Sequence, residues 1–115
     1  KDNGAFFNNH RIRVSKKNDL KECLFATGGE VDNKLELPYR KSGCAALDMA
    51  YVAAGRFDGY FQSDLNMWDI AAGIILVKEA GGIINKIDLS VNKKIKIIAS
   101  SADINSKLLE KLNNF

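Results

Sequence analysis

Two segments combine good helix formers with apolar side chains on nearly every face, and they limit the possible folds more than any other feature. The first covers residues 43–54; the second covers residues 68–80 and is followed by Gly81 and Gly82. The second also has an acid in its first turn and a cation near its end, as the helix dipole favours. Helices that are apolar on most faces need cover from other elements on several sides. The sequence therefore predicts two helices in a layered structure, the first of which is packed on several sides.

Short segments with strand-like patterns lie before, between and after these helices. Residues 4–15 alternate around Asn8 and Asn9, which tolerate the left-handed geometry of tight turns, and they predict a hairpin. Further strands are predicted at residues 23–27, 36–40, 56–61, 83–84 and 95–99, with loops at 30–34 and 63–67 and an amphipathic helix at 103–112. Alternating strands and helices indicate an α/β fold with a mixed sheet, in one domain over residues 1–115.

Composition and charge exclude several classes of protein. The net charge is +3, but the lysines are spread along the chain, so a solvated surface is favoured over nucleic-acid binding. The cysteines, Cys23 and Cys44, have the spacing of neither a zinc site nor a redox pair. No apolar run reaches the roughly 18 residues of a membrane helix. We expect a cytoplasmic protein without a membrane partner, whose polypeptide begins upstream of Lys1.

Two strand-to-helix junctions are candidate anion-binding sites. At residues 42–45 no bulky side chain blocks the backbone amides of the helix start, so a hydroxyl or phosphate group could approach closely. Equally, Gly43 could serve only to permit a tight turn. At the second junction, Asp69 could either cap the helix or act as a hard oxygen ligand for Mg²⁺. Residue chemistry alone leaves both alternatives open at both junctions.

Three other residues have structural interpretations. Trp68 is expected to pack as an anchor that fixes the loop before the second helix, rather than to bind substrate. Asp48, inside the first apolar helix, and Asp58, two residues after Arg56, are expected to form ion pairs or to cap backbone groups. None of the three is expected to take part in chemistry.

A resemblance to a known family rests on three segments: residues 40–61 (RKSGCAALDMAYVAAGRFDGYF), residues 68–73 (WDIAAG) and residues 78–82 (KEAGG). Together they resemble the C-terminal signature region of the inositol monophosphatases, in particular the bacterial extragenic-suppressor type. Residues 4–9 (GAFFNN) are similar to the family's G-A-F-x-N-G hairpin, so the resemblance covers nearly the whole chain. It implies a layered α/β sandwich of the inositol monophosphatase type, of which this chain forms the C-terminal half.

The same resemblance implies Mg²⁺-dependent hydrolysis of a phosphomonoester of inositol or a related sugar or polyol, in which metal-activated water attacks phosphorus directly. Asp69 matches a metal ligand that also lies near a substrate hydroxyl. Gly43, Cys44 and Ala45 match a segment whose backbone contacts the sugar ring, where the family often has Thr or Ser instead of Cys44. Gln62 stands where many members carry a glutamate that accepts hydrogen bonds from the ring. Because glutamine gains a donor and loses the charge, we expect ring recognition to change more than metal binding.

The family's other carboxylate ligands lie in a G-E-E segment and a D-P-I-D-G-T segment, and neither occurs in these 115 residues. One aspartate cannot hold the metal and neutralise a phosphate, so the isolated chain is expected to be inactive, with the N-terminal catalytic half lying outside it. Residues 28–37 also form a shorter segment than is usual in the family. We expect a homodimer in full-length form. The alternative hypothesis is a non-catalytic fragment or interaction module that contacts the transcription machinery or RNA.

Overall fold

The computed structural model describes residues 4–28, 37–85 and 95–112, which form a five-stranded sheet with helices on both faces and a separate two-stranded hairpin. The strands are β1 (Ala5–Phe7), β2 (His10–Ile12), β3 (Phe25–Thr27), β4 (Tyr39–Arg40), β5 (Gly59–Leu65), β6 (Gly82–Ile84) and β7 (Ile95–Ser101). The helices are α1 (Ala45–Ala53), α2 (Met67–Glu79) and α3 (Asn105–Lys111), with a 3₁₀ turn at Leu20–Glu22. None of the described helices is long and apolar enough to span a bilayer.

The sheet is mixed, as the sequence predicts. Its strand order is β4-β3-β5-β7-β6. β3 runs parallel to both of its neighbours, whereas β7 runs antiparallel to both of its own. The predicted hairpin is also confirmed: β1 and β2 are antiparallel, and Asn8 and Asn9 have φ angles of 51° and 66° at the turn.

Successive side chains of the central strands point to opposite faces of the sheet and build one core on each face. On the first face they pack with the helices α1 and α2; on the second they pack with α3. The buried residues of the first core include Ala26, Tyr60, Ile97 and Ala99 from the strands and Met49, Val52, Ile70 and Val77 from the helices. Those of the second core include Phe25, Phe61 and Ile98 from the strands and Ile104, Leu108 and Leu112 from α3 and its ends.

The helices α1 and α2 approach each other closely at Gly73. A Cβ atom built at this glycine would lie 2.8 Å from Sδ and 2.9 Å from Cβ of Met49. At the other end of α2, the predicted stop is confirmed: Gly81 has a φ of 93°, and its N–H donates to the carbonyl of Lys78 at 3.1 Å. The glycine inside the helix therefore provides space, and the glycine after it provides the left-handed turn.

The prediction that the first apolar helix is packed on several sides agrees with the structure, in which α1 contacts α2 and the strands β3, β5 and β7. Both helices also carry apolar residues that are exposed in the described part of the chain. Leu47 on α1 is 43% exposed, and Trp68 and Ile75 on α2 are 79% and 52% exposed. The sheet covers only the opposite face of the helix pair, which explains why apolar residues on this face remain open to solvent. Among the described residues Trp68 therefore does not pack as an anchor, so that expectation was wrong.

Two predicted boundaries also differ from the structure. The predicted loop at residues 63–67 is wrong in its first half, because β5 continues to Leu65 through an irregularity between Gln62 and Leu65 in its pairing with β7. Of the predicted strand at residues 36–40, β4 covers Tyr39–Arg40. The predicted loop at residues 30–34 and most of the short segment 28–37 lie outside the described residues.

Two buried aspartates near α1 have different partners. Oδ2 of Asp58 accepts a hydrogen bond from the N–H of Leu24 at 2.7 Å and lies 3.5 Å from Nζ of Lys17, which confirms its expected ion pair. Oδ1 of Asp48 accepts a hydrogen bond from the hydroxyl of Ser42 at 2.6 Å, and its Oδ2 has no partner among the described residues. The expectation of an ion pair or cap was therefore wrong for Asp48. Burial raises the pKa of the Asp48 carboxyl, and the Ser42 hydrogen bond lowers this pKa only in part.

Substitution Gly73→Ala tests the close approach of the helices. Alanine is normally better than glycine inside a helix by about 1 kcal/mol. Here the added methyl group would press on Cβ of Met49, which cannot rotate away, so we expect the free energy of unfolding to fall by about 1–3 kcal/mol. Urea unfolding measures it. The control is Ala72→Gly on the exposed side of α2, which reports helix propensity alone; a gain in stability for Gly73→Ala would contradict the packing described.

Substitution Asp48→Asn tests how much stability is lost by burying a carboxyl group that accepts one hydrogen bond. Because its pKa is raised, the native state binds the proton more tightly than the unfolded state, and stability is lost as pH rises from the ordinary aspartate pKa through the raised one. Asparagine keeps an acceptor for Ser42 and carries no charge. We expect the variant to be more stable than the parent at neutral pH, with the difference shrinking towards pH values below the ordinary aspartate range, as measured by unfolding at a series of pH values.

The matched control is Asp58→Asn. This carboxylate has a cationic partner, Lys17, and a hydrogen bond from the backbone, so removal of its charge should lower the free energy of unfolding by about 1–3 kcal/mol at neutral pH. Opposite signs for the two aspartates are the expected result. Equal destabilisation by both substitutions would show that the Asp48 carboxylate is better accommodated than its contacts indicate.

Candidate active site

A cleft of ≈ 410 Å³ opens where the first turns of α1 and α2 meet β5 and the carboxyl end of β3. Because β3 and β5 are parallel, side chains near their carboxyl ends reach the same edge of the sheet. The lining residues are Gly28, Gly43, Cys44, Ala45, Ala46, Gln62, Leu65 and Asp69. The fold thus joins four separate segments of the chain in one concave surface.

All five residues that the sequence analysis named for the site line this cleft: Gly43, Cys44, Ala45, Gln62 and Asp69. Their chemical roles remain predictions. Three further lining residues were not predicted from the sequence: Gly28, Ala46 and Leu65. A usable signal existed for Gly28, since it directly follows a short buried strand, and the carboxyl ends of such strands commonly border ligand sites.

The loop before α1 is held by Ser42. Its Oγ accepts a hydrogen bond from the N–H of Cys44 at 3.1 Å and donates to Asp48. Gly43 has a φ of 82°, and no described heavy atom lies within 4 Å of a Cβ built on it, so the backbone conformation rather than space requires glycine. Because the N–H of Cys44 is already bonded, the N–H groups that the helix start offers to a ligand belong to Ala45 and the residues after it.

Asp69 lies in the first turn of α2 with its side chain exposed in the cleft. The N-cap position belongs to Asn66, so the capping alternative for Asp69 does not hold. Among the described residues, one side-chain group contacts its carboxylate, and the contact is weak: Nδ2 of Asn66 donates to Oδ2 at 3.5 Å. An exposed carboxylate at a helix start fits one ligand position of Mg²⁺. Among the described residues, no group of three or more His, Cys, Asp or Glu side chains could hold a metal together.

The side chain of Gln62 forms a hydrogen bond with Tyr60, which is fully buried. The hydroxyl of Tyr60 donates a hydrogen bond to Oε1 of Gln62. Burial, reinforced by the nearby Asp48 carboxylate, raises the pKa of Tyr60. Gly28 lies against the same amide: a Cβ built on it would come closest to Oε1 and would be 2.6 Å from Cδ and 2.9 Å from Nε2 of Gln62. The position of the Gln62 amide is therefore set by two neighbours.

Comparison with known proteins connects this cleft to a family. The family model described as "Inositol monophosphatase family" matches residues 1–114. The chain is 36% identical over 132 residues to the inositol-1-monophosphatase of Caulobacter vibrioides, which covers 97% of this chain and 51% of that protein. It is 43% identical over 98 residues to the Nus factor SuhB of Escherichia coli K12, which covers 71% of this chain and 36% of that protein.

A solved structure gives the same result for the fold. The crystal structure of the extragenic suppressor protein SuhB from Bartonella henselae superposes with a TM-score of 0.82 at 40% sequence identity, over 95% of this chain and 48% of that one. The chain thus spans about half the length of that structure and of the Caulobacter protein. The predicted α/β sandwich is confirmed by this likeness. Since the family model matches nearly every residue, the chain belongs to the inositol monophosphatase family.

Proposed function

We propose that the protein containing this chain hydrolyses a phosphomonoester of inositol or of a related sugar or polyol, with Mg²⁺ as cofactor. The observation that carries the proposal is the cleft itself, in which the carboxylate of Asp69, the amide of Gln62 and the open backbone at Gly43 lie together. Its volume of ≈ 410 Å³ falls within the range of roughly 300–1,000 Å³ that is usual for small-molecule sites. A monosaccharide phosphate fits this range.

The ends of both helices favour an anionic substrate. α1 and α2 begin at the cleft, so their unpaired N–H groups and the positive ends of their dipoles lie beside it. Backbone N–H groups at such ends bind phosphate and hydroxyl oxygens. Ala45 and Ala46 carry side chains too small to block them. The chain's own contribution to the reaction is therefore to bind the ester and to orient its ring.

Asp69 would hold Mg²⁺ beside the N-terminus of α2. When bound, Mg²⁺ supplies Lewis-acid chemistry: it neutralises charge on the phosphate and makes water a better nucleophile. Magnesium sites are commonly built from one or two carboxylates together with waters and phosphate oxygens. We propose that any further carboxylate ligands come from outside residues 1–115, and that these residues alone are inactive.

Substitution Asp69→Asn tests the proposal in the full-length protein. A metal that stabilises transition-state charge contributes several kcal/mol, so loss of its ligand should lower kcat/KM by about 100-fold or more. Phosphate release from inositol and hexose monophosphates, with Mg²⁺ and with a chelator, measures the effect. Asp103→Asn, an exposed aspartate in the turn before α3, is the matched control and should leave the rate unchanged. A fully active Asp69→Asn variant would remove the assignment.

A second candidate function follows from one named relative. The protein from Escherichia coli K12 that shares 43% identity with this chain is called a Nus factor. An interaction module that contacts the transcription machinery or RNA is accordingly the alternative to the phosphatase. A growth test in cells that depend on the protein distinguishes the two functions. If the Asp69→Asn variant supports growth as well as the parent protein does, the Asp69 carboxylate is dispensable and the interaction role is favoured.

The remaining expectations concern the whole protein. A homodimer and a cytoplasmic location stay predictions. The division of the full-length polypeptide into a catalytic N-terminal half and this C-terminal half stays a prediction as well.

A further inference from the structure

The amide of Gln62 can offer a ligand either its oxygen or its NH₂ group, and the choice sets which substrates fit. We propose that Tyr60 and Gly28 fix this amide so that its NH₂ group is presented to the ligand. The cleft then selects substrates whose ring accepts a hydrogen bond at that position over substrates that can only donate one. The inference rests on the proposed function and deepens it by naming a feature of the substrate.

The first constraint is the hydroxyl of Tyr60. A phenol has a single proton to donate, and this one is donated to Oε1 of Gln62. Because Tyr60 is fully buried and its pKa is raised, the hydroxyl keeps its proton throughout the physiological pH range. Oε1 therefore accepts one hydrogen bond from Tyr60 and also lies against Gly28, and together these restrict a ligand's access to its second lone pair. Nε2 has no hydrogen-bond partner among the described residues and remains for the ligand.

Rotation of the amide by half a turn is opposed by the same contact. The NH₂ group would then face the phenol oxygen, and the phenol proton would lose its acceptor. A buried donor without a partner is costly enough to favour the observed orientation by about 10-fold or more. Tyr60 is thus a positioning residue, which acts on the ligand only through Gln62.

The second constraint is the absence of a side chain at Gly28. A Cβ atom there would come closest to Oε1 of Gln62 and would lie 2.6 Å from its Cδ and 2.9 Å from its Nε2, closer than such atoms can stay. Gly28 has no left-handed φ angle, so the glycine is needed for space and not for its backbone conformation. The amide therefore lies against the backbone at the end of β3 and has little room to move away from Tyr60.

Substitution Gln62→Glu is the sharpest probe, since it changes polarity with almost no change in shape. A carboxylate has two equivalent oxygens. One would accept the hydrogen bond from Tyr60, and the other would face the ligand as an acceptor. The preferred substrate group should change from one that accepts a hydrogen bond to one that donates it.

The experiment uses the full-length protein and a series of hexose monophosphates. In each pair of analogues, one ring hydroxyl is replaced by a methoxy group, which only accepts, or by an ammonium group, which only donates. Both kcat/KM and the Kd measured without Mg²⁺ are determined for every pair. At one ring position we expect the methoxy analogue to be favoured by about 10-fold or more, and we expect Gln62→Glu to reverse the order. Comparing ratios between variants cancels the bulk of the methyl group.

Substitution Tyr60→Phe separates a positioning role from a structural one. When Tyr60→Phe is made in the protein that keeps Gln62, the amide becomes free to turn, so the ratio of kcat/KM between the paired analogues should fall towards one. In the Gln62→Glu background the carboxylate is symmetric, and the same substitution should leave the ratio nearly unchanged. Tyr51→Phe, which removes a hydroxyl from a half-buried tyrosine on α1 away from the cleft, is the control. Gly28→Ala is the second variant, and it should abolish the preference without touching the core.

The outcomes separate this inference from the proposed function. Turnover with no contrast between methoxy and ammonium at any position, or a preference for ammonium in the parent, overturns the inference and leaves the phosphatase standing. A contrast in Kd without turnover of any phosphate ester supports the inference and overturns the phosphatase. If the protein neither binds nor hydrolyses any of the analogues, both the inference and the proposed function are overturned. Equal effects of Tyr60→Phe in the two backgrounds show a structural role only and overturn the positioning role.

Discussion

The pairing of β5 with β3 is the constraint on which the site depends. Parallel pairing with β3 brings the carboxyl ends of the two strands to one edge, where Gly28 meets Gln62. Side chains two positions apart share a face of the sheet, so Tyr60 lies in the core beneath α1 and α2, and Gln62 lies above it at the cleft. Phe61, between them, points to the other core. One register thus fixes both the buried donor and the exposed amide.

The close contact between α1 and α2 positions the rest of the cleft. Gly73 lets α2 approach Met49, and this packing brings the first turns of the two helices to the same opening. The helix starts must be near each other for their dipoles to act on one ligand, because the effect falls off within a turn. Small residues in this chain therefore serve two purposes. Gly73 allows the short distance between the two helices, and Ala45 leaves the backbone N–H groups at the start of α1 accessible to a ligand.

How much the sequence could predict depended on how local the deciding interaction is. The hairpin turn and the helix stop were predicted from Asn8, Asn9 and Gly81, because a left-handed backbone is a local requirement. Burial was predicted poorly: Trp68 is exposed although tryptophan is a large apolar residue, since exposure depends on which layer covers a helix and no local pattern records that. The end of β5 was missed because an irregular, polar stretch still pairs with β7.

The site residues were named from a resemblance. Residue chemistry alone left two interpretations at each helix start, residues 42–45 and Asp69, and did not indicate Gln62. Geometry then excluded capping for Asp69, because Asn66 occupies the cap.

The charged group and the neutral hydrogen-bonding group of the cleft lie on different residues, Asp69 and Gln62. Asp69 is exposed at a helix start, so its carboxylate lies near the positive end of the helix dipole. Asp48 is buried close by, and its influence contributes to the raised pKa of Tyr60. A glutamate in place of Gln62 would add a further carboxylate beside a buried phenol, and like charges at short range disfavour ionisation of one another. The neutral amide avoids that repulsion and leaves Asp69 as the carboxylate among the described lining residues of the cleft, so the proposed metal-binding and ring-binding roles can vary independently.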